Sequence, residues 1–495
     1  MESGKFVFEK YGAPEESGIP SGSVLNFLNR LEEKKLCMHS IMIVRHNKIV
    51  MEAHYPPFSA ETLHRMYSVT KSFVSVAIGF MIDEGKITLQ SKLIDLFPEY
   101  KNDAIYPYQT EMTVRDLLLM ATPYEKTTYA AADSNWARTF FTAKPTHSAG
   151  AVFNYDTSGT VTLNALVEKI SGQNLIDYLR TRLFEPLGFS KDVWCVERPE
   201  GGAWGGSGLL CSVYDLAKFG LFLLNRGKWQ GAQLLSASYL MEACSPLIDN
   251  RTTVMNPEMQ FGYGYQIWQA RHNSFCAWGM GSQLALCIPE KDMVLVTTGD
   301  TQSVSAAQDI IFGAFWNDVY PFITEKPLNE NDGKSTVLAK KLENTEFPRI
   351  DGENVSPLQN SLHGKKYKFG DNNMKIKNVV FEFSYNRAVM KYENSSGVHE
   401  IQFGLGVYLE GVFPETQYFD KKIGVPSGKG YRYKASGSWF NSQSLTFYVY
   451  IIDNYFGTLK VNCFFEEDSL TLHMVKAAEW FLDEYQGMAT GKTVD

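Results

Sequence analysis

A serine and a lysine three residues apart, Ser68-Val69-Thr70-Lys71, stand at the head of the longest apolar stretch of the chain, Phe73 to Ile82. If that stretch is a helix, the spacing puts hydroxyl and amine on one face, within contact of each other. A serine hydroxyl is a poor nucleophile until a base removes its proton. A lysine can be that base only where burial or neighbouring positive charge lowers its pKa toward neutrality. The start of a helix adds unpaired backbone N–H groups and the positive end of the dipole, so the Ser68 amide is placed to hold a developing oxyanion. Ser-x-x-Lys also arises by chance, with the serine a helix cap and the lysine a solvated side chain. A lysine opening an otherwise apolar helix is costly to bury without partners, however, and this favours the chemical reading.

The elements that must position this pair are legible on both sides of it. Val24, Leu25, Phe27, Leu28 and Leu31 recur at helical spacing, and Ile41 to Ala53 reads as a hairpin turning at His46-Asn47. Ser68 to Glu84 is apolar on nearly all sides, as a central helix should be, and ends near Gly85. Further helices are predicted at 114–120, 160–170 and 215–225, and the β-branched run Met293 to Thr298 is predicted as a strand. Residues 1–325 therefore form one mixed α/β unit. Residues 326–362 are polar and rich in Asn, Asp, Glu, Lys and Pro, as in a linker carrying at most a short helix. Residues 363–495 change pattern: 379–383, 387–392, 445–452, 458–464 and 469–475 are short alternating runs separated by Gly, Asn, Ser and Asp, as in a small antiparallel barrel or sandwich.

The words around the pair are specific. His64-Arg65-Met66-Tyr67-Ser68-Val69-Thr70-Lys71-Ser72-Phe73, followed by Asp83-Glu84-Gly85-Lys86-Ile87, resembles the first motif and helix of the serine β-lactamase-like, penicillin-binding-protein-like hydrolases. Met112 to Thr122 is similar to that family's next landmark, a helix and loop without direct chemistry. The resemblance implies an α/β (α+β) β-lactamase/transpeptidase-like domain, with an antiparallel sheet flanked by helices plus a helical subdomain. It also implies acyl-enzyme catalysis on an ester or amide, by an esterase, a β-lactamase-like enzyme or a D-amino-acid peptidase-like enzyme. Tyr155-Asp156-Thr157 is similar to the second catalytic motif and implies Tyr155 as proton relay beside Lys71; the commoner form carries Ser-Asn after the tyrosine, so Thr157 is a departure, assigned to substrate binding. Ala277-Trp278-Gly279-Met280 is the best match to the third motif. It implies close strand approach at Gly279, the Met280 amide as second oxyanion donor and Trp278 beside the substrate. Ala277 and Trp278 lack the basic or hydroxyl group with which relatives hold a carboxylate, which points to weak β-lactamase activity at best and a neutral or amide-like substrate; Arg65, Arg271 and His272 are the replacement cations on offer. Gly205 to Leu209 and Asp215 to Phe219 also resemble family segments and support the fold more than the chemistry. The last part of the chain resembles the lipocalin-like β domains appended to some members.

Composition removes other classes. A net charge of −8 without a basic, aromatic-interleaved stripe argues against nucleic acid. No run of about 18 apolar residues suggests a membrane span, and the start of the chain lacks the apolar core of a secretory signal. Seven cysteines, an odd number without a C-x-x-C pair, fit reduced thiols and a cytoplasmic location. The nine histidines are dispersed, without metal-ligand spacing, so no metal and no cofactor are expected. The expected partner is a small-molecule or short-peptide substrate; oligomeric state leaves no mark in the sequence. A binding or scaffold module on the same fold is the rival to an enzyme, and intact Ser68, Lys71 and Tyr155 argue against it.

Overall fold

The computed structural model describes residues 6–103, 106–329, 333–415, 417–418, 421–422 and 430–494. The first five residues of the amino terminus lie outside this set. The chain divides into two units, one of residues 1–301 and 306–346 and one of 302–305 and 347–495.

The first unit is built on a seven-stranded sheet of β1 (Glu9–Lys10), β2 (Met38–Arg45), β3 (Lys48–His54), β4 (Trp268–Ala270), β5 (Ser274–Gly279), β6 (Gln283–Ile288) and β7 (Met293–Gly299). Its order is β1-β3-β2-β7-β6-β5-β4, antiparallel except for the short parallel pair β1–β3. The β2–β3 hairpin pairs Arg45 with Lys48 across His46 and Asn47, whose φ values of 50° and 62° are those of a two-residue primed turn. Every residue of β2 and β7 is buried, because both faces of the sheet are covered. Helices α1 (Ser21–Glu33), α2 (Val69–Asp83), α3 (Val114–Leu118), α4 (Thr157–Ser171), α5 (Val213–Leu224) and α6 (Ala307–Asp318) supply the cover. Val44, Ala277, Ala285, Val294 and Val296 share a core with α2 and α5, including Phe73 stacked on Phe219 at 3.8 Å. On the other face Trp278 meets Phe312 of α6, and Phe27 of α1 meets Phe315. The segment expected as a linker carries a ten-residue helix, Lys334–Glu343, within this unit.

The strand His64–Arg65 leads directly into Ser68 and is pinned by a buried imidazole pair. His64 Nδ1 lies 3.0 Å from the Arg65 carbonyl, so that nitrogen must carry the proton. Its Nε2 is then an acceptor, and His39 Nδ1, 2.7 Å away, must donate. Protonating His64 would set two N–H groups face to face, and burial disfavours a charge on either ring.

The second unit contains β8 (Lys366–Phe369), β9 (Asn378–Ser384), β10 (Arg387–Glu393), β11 (Val398–Leu405), β12 (Leu409–Val412), β13 (Arg432–Trp439), β14 (Ser444–Ile452), β15 (Phe456–Phe465), β16 (Ser469–Ala478) and β17 (Gly487–Thr493). Nine of these run β11-β10-β9-β8-β17-β16-β15-β14-β13, and a parallel contact of β11 with β13, Gly404 opposite Ser436, closes the ring; β12 adds to β13. The alternative of a sandwich is thereby resolved in favour of a closed barrel. Inward residues fill it: Tyr367, Phe381, Met390, Phe403, Phe447 and Leu472 form one core, with Phe403 on Phe447 at 4.1 Å. No helix among the described residues is long and apolar enough to cross a membrane.

The imidazole pair makes stability pH-dependent. Unfolded, both rings titrate near pH 6.5. Folded, burial lowers His64 to about 3 and takes His39 well below its usual value. The unfolded chain binds more protons in that window, so this stability is fully present above about pH 6.5 and is lost as pH falls toward the folded values. Denaturant unfolding between about pH 7.5 and about pH 5 should show stability falling by about 1.4 kcal/mol per pH unit for each histidine below the unfolded pKa, and His64→Gln should flatten the slope.

Candidate active site

Ser68 is the last residue before α2, reached through Tyr67 at a φ of +46°. It is partly exposed, whereas Lys71, one turn in, is 1% exposed. The lysine side chain runs back along the helix and donates to Ser68 Oγ at 2.9 Å and to the Gly206 carbonyl at 2.6 Å. Its Nζ also lies over the Tyr155 ring, 5.1 Å from the centroid. Gly206 reaches this position because it has no side chain: a Cβ there would sit 2.4 Å from Thr157 Cγ2. The segment read from sequence as a support of the fold thus delivers one of the buried ammonium's acceptors, a role for which two adjacent glycines were the sole signal.

Tyr155 stands just before α4. Asp156, fully buried, caps that helix through Ser158 N at 2.8 Å and accepts from Thr122 Oγ1 at 3.0 Å. Thr122 belongs to the landmark loop that sequence reasoning left without a task. The Tyr155 ring stacks on Trp268 at 5.3 Å and meets Tyr263 edge-on at 6.5 Å. Its hydroxyl shares a hydrogen bond with Ser68. Burial pushes the phenol well above its usual pKa, against the opposing pull of that hydrogen bond.

The third wall is the end of β5. A Cβ on Gly279 would lie 2.3 Å from the Met66 carbonyl and 3.2 Å from the Ser68 nitrogen, so the strand backbone runs directly against the start of α2. Gln283 fixes the turn after the strand: its Nε2 donates to the Met280 and Gly299 carbonyls at 2.9 and 2.7 Å, and its Oε1 accepts from Gly299 N. The amides of Ser68 and Met280 donate to no acceptor among the described residues. Trp278, one residue before Gly279, lies by strand alternation on the opposite face, partly exposed and 5.9 Å from Phe312. Thr157 is partly exposed and packs on Gly206.

None of the three replacement cations is idle. Arg65 is wholly buried, bonded to Ser207 through Nε and Nη2 and packed over Tyr67 and Trp204. Arg271 pairs with Glu258, and His272 stacks on Tyr320 at 4.2 Å. Both lie in the β4–β5 turn, at the other end of β5 from Gly279.

A buried amine touching a hydroxyl, a phenol beside that hydroxyl and two amides with no acceptor among the described residues thus meet at the start of α2. The Beta-lactamase family model matches residues 31–314, and the chain belongs to this family of serine hydrolases. A 6-aminohexanoate-dimer hydrolase of Paenarthrobacter ureafaciens is 23% identical over 228 residues, 43% of this chain and 57% of that protein, so the chain spans little more than half of that relative. A Bacillus anthracis protein provisionally named for the same activity superposes with a TM-score of 0.52 at 20% identity, over 63% of this chain and 87% of its own. A family VIII carboxylesterase does so at 0.50 and 14% identity, over 63% of this chain and 100% of its own.

Gly279→Ala should cost about 1–3 kcal/mol in denaturant unfolding, since the added methyl must displace backbone on the facing segment rather than a flexible side chain.

Proposed function

We propose that the chain hydrolyses a neutral ester or amide through an acyl-enzyme on Ser68. The observation that carries this reading is the Lys71 Nζ, buried and 2.9 Å from Ser68 Oγ, with the Gly206 carbonyl as its second partner. Deprotonated, the amine keeps one N–H on that carbonyl and turns its lone pair to the serine hydroxyl. Lys71 is then the base that takes the Ser68 proton as Oγ attacks the carbonyl carbon. Tyr155, held protonated by burial, suits the complementary task of giving a proton to the leaving group. The Ser68 and Met280 amides hold the oxyanion. Lys71 then passes its proton to the Tyr155 phenolate; water gives a proton to the Lys71 amine as it attacks the acyl carbon, and that proton returns to Ser68 Oγ as the acyl–oxygen bond breaks.

The substrate class follows from the missing charge. Ala277 and Trp278 offer no cation, and Arg65 is wholly buried with Nε and Nη2 on Ser207, so neither the third motif nor Arg65 presents a charge to a carboxylate next to the scissile bond. This supports a neutral acyl donor over penicillins and peptide carboxyl ends. The names of the relatives, one a 6-aminohexanoate-dimer hydrolase and one a carboxylesterase, support hydrolysis of an acyl bond outside the penicillins. Thr157, packed on Gly206, and Gly279 border the substrate, whereas Trp278 lies on the other face of the strand against Phe312.

Intact-protein mass after treatment with a fluorophosphonate, a short activated ester and penicillin tests the reading. Wild type should gain one fluorophosphonate adduct, absent in Ser68→Ala, and Lys71→Met should slow labelling by about a hundredfold or more. Ester turnover should exceed penicillin turnover. Absence of any adduct on folded wild-type protein would instead favour a non-catalytic binding module.

A further inference from the structure

We infer that Gln266, far from the reacting atoms along the chain, is the positioning residue that sets the distance between Ser68 and Tyr155; this rests on the acyl-transfer reading above. Gln266 is 1% exposed and holds a left-handed φ of +59°. A residue with a Cβ is strained in that conformation, and glycine would adopt it freely. The side chain is what a glycine could not supply. Its Nε2 donates to the carbonyls of Leu117 and Leu118 at 2.8 and 3.0 Å, in the last turn of α3. Its Oε1 accepts from Thr160 Oγ1 at 2.6 Å, and its own carbonyl accepts from Ser72 Oγ at 2.7 Å.

The other ends of these bonds matter most. Ser72 adjoins Lys71 in the first turn of α2, and Thr160 lies in the first turn of α4, just after Tyr155. Trp268, two residues after Gln266, stacks on the Tyr155 ring. One residue thus ties the helix that carries serine and lysine to the helix that follows the tyrosine, and both to α3. Every polar side-chain atom of Gln266 is engaged, so the joint has no slack of its own. Misplacement of reacting groups by a fraction of an ångström is expressed in the rate of the chemical step more than in binding.

The test cuts each tether without touching a reacting group. Ser72→Ala removes the α2 tether and Thr160→Val the α4 tether; each should lower kcat on a neutral activated ester by about threefold to tenfold, with KM within about twofold. Because both act through one residue, the double variant should lose little more than the worse single variant, a non-additivity that independent packing defects do not give. Thr160→Ser, which keeps the hydroxyl, should recover kcat to within about twofold. The inference is overturned if the single variants lower the melting temperature yet keep wild-type kcat, if their effects on kcat multiply, or if Thr160→Ser is as slow as Thr160→Val. Fluorophosphonate labelling of wild type separates this failure from failure of the parent reading: an unlabelled wild type removes the nucleophile itself, whereas normal labelling with unchanged variants removes only the role of Gln266.

Discussion

An ammonium group buried in an apolar helix is the constraint around which the first unit is arranged. Lys71 follows Ser68 into a helix whose core-facing positions include Phe73, Val74, Val76, Ala77, Ile78 and Met81. Leaving such a charge without acceptors would cost several kcal/mol. The Ser68 hydroxyl, the Gly206 carbonyl and the face of Tyr155 answer that demand, and each has its own support. Gly205-Gly206 must run close against α4, Asp156 must cap α4 so that Tyr155 is presented, and Trp268 must back the phenol. What satisfies the lysine electrostatically is also what surrounds the serine.

The local part of this was legible in the amino-acid sequence. The helix from Ser68, the turn at His46-Asn47 and five of the ten strands of the barrel sheet follow from periodicity and turn chemistry, and the structure carries them within a residue or two at most ends. The pairing of Ser68 with Lys71 is legible for the same reason, three residues on one helix. Gly206 with Lys71, Thr122 with Asp156 and Gln266 with Ser72 and Thr160 join residues from 34 to 194 positions apart. Long-range polar contacts of this kind leave no periodic trace. Arg65 shows the converse limit: its charge is visible in the sequence, while its commitment to Ser207 is a fact of folding.

The end of β5 separates two things that a motif joins. Its side chains before Gly279, alanine and tryptophan, carry no cation. Its backbone has not been free to change, because Gly279 is in contact with Met66 and Ser68 and the following carbonyl is held by Gln283. Oxyanion donors made from main-chain N–H groups survive side-chain drift, so chemistry and specificity can diverge along one strand.

The barrel has a topological property of a different kind. Its first and last strands are antiparallel neighbours, with Tyr367 opposite Thr493 and Val494 N bonded to the Lys366 carbonyl. The chain therefore leaves the ring where it entered. Closure of the ring pairs each of its nine strands on both sides among the described residues. With its first and last strands side by side, a short turn between them would close the barrel's chain on itself, and the ring could then be opened at another hairpin with its closure and filling left in place.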